Sequence, residues 1–134
     1  ILSFDILRNM RLITHNMLKC NVRGVENGYP LKINAEKTEI IAMEFNAEIA
    51  LKMVKKIDWN ALRSAALDMN IENSLNSLET ISETEMQSEE FLRYLHHLLF
   101  EVHLLDGCLI CPESGRSFPV KDGIPNMLLH EDEI

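Results

Sequence analysis

The stretch from Ser88 to Leu105 constrains this chain more than any other. Phe91, Leu95, Leu98, Val102 and Leu105 form one apolar stripe at helical spacing, widened by Leu92 and Leu99, the pattern of a helix that buries a broad face. Ser88 stands where an N-cap belongs, Glu89 and Glu90 face the positive end of the helix dipole, and Asp106-Gly107 ends the run. The spacing therefore predicts a central core helix over 88–105. A chain of 134 residues fits one domain and is long enough to bury a hydrophobic core. Aromatics at 6% leave that core to Leu, Ile, Met and Val.

The flanking segments supply partners for that helix. Residues 1–9 precede Met10-Arg-Leu-Ile-Thr-His-Asn, which reads like a natural start, so the first nine are taken as an N-terminal extension. Met10 to Thr14 is a short β-prone run, and the Gly, Asn and Pro residues of 21–30 punctuate a loop. Leu31 to Ile33 and Thr38 to Phe45 alternate apolar and polar residues, which predicts two strands around Asn34-Ala-Glu-Lys37. Asn46 caps a helix from Ala47 to about Lys56. Asp58 caps a second, with Trp59, Leu62, Ala66 and Met69 on one side and Asn70 as its stop. Residues 71–88 read as a loop that tolerates insertion. Cys108 to Cys111 and Ser117 to Val120 read as a hairpin around Pro112-Glu-Ser-Gly115.

Charge and thiol count narrow the function. The net charge is −8, and no Lys or Arg lies between Ser64 and Leu92; a chain that grips phosphates by counterion release needs the opposite balance. Three cysteines exclude a complete disulfide framework and point to reduced thiols. No apolar run approaches the ~18 residues of a membrane span, and no signal peptide with a basic start is present, so the expected location is cytoplasm and nucleus without membrane contact. Cys108-x-x-Cys111 is the spacing of half a zinc knuckle, but a structural site needs four ligands. Cys20 and a histidine such as His15, His103 or His130 would have to complete it. The same pair is poorly placed for redox chemistry, which uses a thiolate at a helix N-terminus, whereas Gly-Arg-Ser-Phe-Pro follows here. No His-Glu-x-x-His, phosphate loop or nucleophile elbow occurs. Four large apolar residues, Ile124, Met127, Leu128 and Leu129, crowd the C-terminal end, where chains are usually polar.

Ordered blocks along the chain carry a resemblance. Met10-Arg-Leu-Ile-Thr-His-Asn16, Val22-Arg-Gly-Val25, Tyr29-Pro-Leu31, Glu44-Phe-Asn46, Asp58-Trp59, His96-His-Leu-Leu99, Cys111-Pro-Glu-Ser-Gly-Arg116 and Gly123-Ile-Pro-Asn-Met-Leu-Leu129 together resemble the small activator subunit of the tRNA methyltransferase 112 type. The resemblance implies an α+β fold: a small antiparallel sheet in a zinc-ribbon-like module built from both chain ends, 10–45 and 106–129, packed with a helical insert, 46–105. It implies a subunit without catalysis of its own. Such subunits form heterodimers with Rossmann-type methyltransferases that hold S-adenosylmethionine and modify ribosomal RNA, transfer RNA or a translation release factor.

Family members that hold zinc carry two cysteines after the first strand and two near the C-terminal turn. In this chain Cys20 and Cys111 match one of each pair, Val25 and Ser114 stand at the other two positions, and Cys108 lies outside the pattern. The resemblance thus implies a degenerate remnant without zinc. Partner contact by edge pairing and apolar burial is expected at Leu12, Thr14 and Asn16 on the first strand, and at Phe118, Pro119, Ile124, Pro125 and Met127 near the end. The alternative is a zinc-ribbon module that binds nucleic acid directly.

Overall fold

The core helix is shorter than its apolar stripe. A computed structural model describes residues 10–134, and the extension expected over 1–9 lies outside the described residues. Ser88 does cap a helix, its hydroxyl accepting from the Phe91 N–H at 3.3 Å, but helix α5 runs only over Glu89–His96. A π-helical turn, His97–Glu101, follows, and from Val102 the chain is a strand (β2, Val102–Ile110). The apolar set Leu98, Leu99, Val102, Leu104 and Leu105 satisfies a 3.6-residue period and, from Val102 on, a two-residue period as well. Pairing with neighbouring strands decides between them, because it supplies partners to the whole backbone of the segment.

Before α5, α1 (Leu12–Met17), β1 (Lys32–Ile40), α2 (Ala47–Val54), α3 (Trp59–Asp68) and the single turn α4 (Glu83–Met86) follow one another. After β2 come β3 (Ser117–Lys121) and the two-residue β4 (Ile124–Pro125). The sheet is antiparallel, in the order β1-β2-β3-β4, so the expected α+β class with a small antiparallel sheet holds. It resumes at Val102 rather than at residue 106, which takes four residues from the expected helical insert.

Three local expectations need correction. Met10 to Thr14 is not a strand: residues 12–17 are helical despite β-branched Ile13 and Thr14. So short a helix has little stability of its own, and buried hydrogen bonds hold it. His15 Nε2 lies 2.6 Å from the Leu31 carbonyl. The Asn16 amide donates to the Asp58 carbonyl at 2.9 Å and accepts from the Asp58 N–H at 3.0 Å. Second, 31–45 is not two strands about a turn. It is one strand with irregular register between Ala35 and Thr38, a bulge in which Gly107 is indispensable: its φ is +152°, and a Cβ there would stand 2.2 Å from the Asn34 carbonyl oxygen. Third, the 71–88 loop is pinned. Buried Asn76 donates to the Ile71 carbonyl at 2.9 Å and accepts from the Tyr94 hydroxyl at 2.6 Å.

The expected caps are in place. Asn46 accepts from the N–H groups of Glu48 and Ile49, and Asp58 from that of Ala61. Phe91, Leu95, Leu98, Leu104, Leu109 and Phe118 are fully buried between helices and sheet. Trp59 packs on Phe91 with ring centroids 5.5 Å apart and donates its indole N–H to the Leu78 carbonyl at 2.8 Å. Among the described residues no helix is long and apolar enough to cross a membrane.

Candidate partner-binding surfaces

The eight residues expected at a partner interface divide into two groups. Leu12, Thr14, Asn16 and Phe118 are buried in the chain's own interior and are not surface contacts. Helix α1 turns the first three inward, and Phe118 sits opposite Leu109 on the core face of the sheet. Pro119, Ile124, Pro125 and Met127 do come together. Asn126 N–H donates to the Pro119 carbonyl at 2.9 Å, Val120 pairs with Pro125, and Ile124, 52% exposed, and Leu128, 80% exposed, project beside them. The C-terminal apolar crowding therefore divides: Met127 and Leu129 pack against the core, while Ile124 and Leu128 face outward.

A second apolar surface lies where the chain leaves β1. Ile40, Ile41, Met43 and Ile49 are all exposed, and Met43, Ile49, His96 and Phe100 line a groove of ≈ 110 Å³. Sequence alternation placed Ile41 and Met43 inside, yet the strand ends at Ile40. The following residues are clamped outside the sheet on the π turn. Ile41 N–H donates to the Glu101 carbonyl at 2.9 Å, Met43 N–H to the Glu101 carboxylate at 2.9 Å, and the Met43 carbonyl lies 3.1 Å from His96 Nε2. Burial opposes ionisation of Glu101, but the Met43 N–H and His97 outweigh it and hold the carboxyl below its ordinary value. The signal that would have exposed this surface is the density of large apolar residues at 40–51, more than one alternating strand buries on one face.

The two sheet edges are unequal. β4 has two residues, one of them a proline without an N–H donor. β1 has nine residues and, among the described residues, pairs on one side only. Its first turn is covered, since the Asp68 carboxylate accepts from the Ile33 N–H at 3.0 Å. The remainder, from Asn34 to Ile40, is the longest edge available for an added strand.

The degenerate knuckle is the third feature. The turns at 20–28 and 111–115 face one another. Cys20 and Cys111 are buried and their thiols interact, and the Ser114 N–H donates to Cys111 Sγ at 3.3 Å. Burial pushes the Cys20 thiol up. Burial also opposes ionisation of Cys111, but the Ser114 hydroxyl and the N–H groups of Ser114 and Glu113 outweigh it and bring that thiol below its ordinary value. A zinc ion does not fit this donor set. Two thiols and a hydroxyl come together there, and Val25, at the fourth position that the resemblance implies, offers no lone pair. No histidine replaces it: His15 is committed to the Leu31 carbonyl, and among the described residues no three His, Cys, Asp or Glu are grouped to hold a metal. Cys108 lies within β2, in the row Asn34, Cys108, Pro119.

Among the described residues, this α+β domain leaves one long sheet edge and two apolar surfaces exposed, as a partner-binding module requires. The chain belongs to the Trm112p-like protein family, whose model matches residues 11–123. It is 51% identical over 127 residues to the multifunctional methyltransferase subunit TRM112 homolog B of Arabidopsis thaliana, covering 93% of this chain and 100% of that protein. It is 47% identical over 128 residues to the multifunctional methyltransferase subunit TRM112-like protein of Mus musculus, covering 92% and 98% respectively. A solved E. cuniculi Mtq2-Trm112 complex, described as responsible for methylation of the eRF1 translation termination factor, aligns with a TM-score of 0.48 at 19% identity, over 89% of this chain and 95% of that one.

Proposed function

We propose that this chain is a non-catalytic subunit that binds, stabilises and activates S-adenosylmethionine-dependent methyltransferases acting on ribosomal RNA, transfer RNA and a translation release factor, in cytoplasm and nucleus. The observation that carries the reading is the near full-length identity to proteins named multifunctional methyltransferase subunits. The surfaces support it physically. A partner strand on β1 from Asn34 to Ile40 would satisfy backbone donors and acceptors, and Ile41, Met43, Ile124 and Leu128 would supply the apolar burial that edge pairing lacks. S-adenosylmethionine would sit on the partner. Direct nucleic-acid binding is the weaker reading, because the net charge is −8.

Co-expression with candidate methyltransferases, followed by pull-down and assay, tests this. Methyltransferases that are insoluble or inactive alone should become soluble and active with the chain. Met43→Asp and Ile124→Asp should each weaken co-purification by about tenfold or more, because a charge placed in an apolar interface costs over 1.4 kcal/mol. Methyltransferases equally soluble and active without the chain would sink the proposal.

A further inference from the structure

The degenerate knuckle raises a physical question: two turns that a metal would join must still be joined. In zinc knuckles the ion ties together segments that bury too little apolar surface to hold each other. Here the segments are 20–28 and 111–116, separated by most of the chain, and the Cys20 and Cys111 thiols alone form no covalent or ionic tie.

Glu113, in the second turn, reaches across. Its carboxylate accepts from the backbone N–H of Glu26 at 3.1 Å and of Asn27 at 3.2 Å. Two successive N–H groups converging on one anion form a backbone nest, a favourable seat for negative charge. Behind it, Arg116 donates from Nε to Glu133 at 2.7 Å and from Nη2 to the same carboxylate at 3.1 Å. The Glu133 carbonyl accepts from the Arg23 N–H at 2.6 Å, which returns the connection to the first turn. The Arg116 guanidinium also lies 4.7 Å from the centroid of the core ring of Phe118. Val25 stands at a position where the resemblance implies a ligand. Its Cγ1 and the Cys20 Cβ stand 3.1 and 3.0 Å from the point a Cβ on Gly28 would occupy, so both side chains crowd one small space.

We propose that the Glu113 carboxylate seated on the 26–27 backbone, backed by the Arg116–Glu133 pair, performs the cross-linking that a metal ion would otherwise perform, so that this chain closes its knuckle without zinc. The proposal concerns the chain's own folding and is independent of its methyltransferase reading.

The test uses the full chain. Metal analysis should find far less than one zinc per chain, and a strong chelator should leave the thermal midpoint unchanged. Glu113→Ala should lower that midpoint by roughly 3–6 °C, while Glu79→Ala on the acidic face should leave it in place. Val25→Cys combined with Ser114→Cys should bind zinc stoichiometrically and make the midpoint chelator-sensitive, showing that the two turns face a common centre. Stoichiometric zinc in the unaltered chain, lost on Cys20→Ser, would overturn the proposal. So would a Glu113→Ala midpoint equal to that of the parent, or a double-cysteine variant that takes up no zinc.

Discussion

Around Trp59 the chain is held by interlocked side chains: the indole lies against Phe91, Leu62 and Leu95 are fully buried nearby, and one N–H bond to Leu78 secures the loop. Around Glu113 the ties are polar: a carboxylate on two backbone N–H groups and an arginine–carboxylate pair, both near solvent. The first region has enough sequence length to bury apolar area, so its stability is largely non-directional. The second joins short turns with little to bury, and directional bonds must do what area cannot. The difference teaches where each side is vulnerable: the helical side to loss of buried volume, and the side around Glu113 to loss of single directional bonds.

The comparison is broken most severely from the helical side. Trp59→Ala should cost about 3–5 kcal/mol, read as a lower denaturant midpoint, and should free the 71–88 loop to protease; an intact loop would show that Asn76 and the Arg63 guanidinium hold it without the indole. Asn16→Ala comes next, at about 1–3 kcal/mol, because it removes both part-buried bonds to the Asp58 backbone and takes from the Asp58 N–H its acceptor. Equilibrium unfolding measures it, and a neutral result would mean that water replaces the amide.

Acid should sharpen the contrast. Burial holds the pKa of His15 below its ordinary 6.5, so the folded state favours neutral imidazole; its contribution is complete above pH 6.5 and is lost as pH falls below that value. His15→Gln should flatten that part of the stability profile. The smallest effect belongs to Glu133, whose carboxyl is held at about 2 by the Arg116 guanidinium. Its contribution is present above the ordinary carboxylate value of 4.5 and is lost as pH falls from there toward 2. Chemical shifts of the Glu133 side chain during acid titration would report it, and a midpoint near 4.5 would remove the pair from the account.

The caps were legible because they are local. Asn46, Asp58 and Ser88 each bond to N–H groups within three residues, so type and position suffice to place a helix start. The β2–β3 hairpin was legible for the same reason, with Pro112 to Gly115 marking its turn. Of the candidate interface, Pro119 and Pro125 entered only with the family resemblance, whereas Ile124 and Met127 were visible as apolar crowding. The surface at Ile40 to Ile49 was not, because alternation alone does not reveal that a strand has ended.

From its own residues, then, the chain determined its helix starts, its C-terminal hairpin and, through ordered blocks, its family. Tertiary structure alone decided that Leu12 to Met17 folds inward as a helix, that Val102 begins a strand and that Glu113 seats on a distant backbone. Each of those depends on a partner far away in sequence: Asp58 for Asn16, β1 for β2, the 26–27 amides for Glu113. A local pattern records what a segment prefers, whereas these partners settle which preference is satisfied once the backbone must be paired.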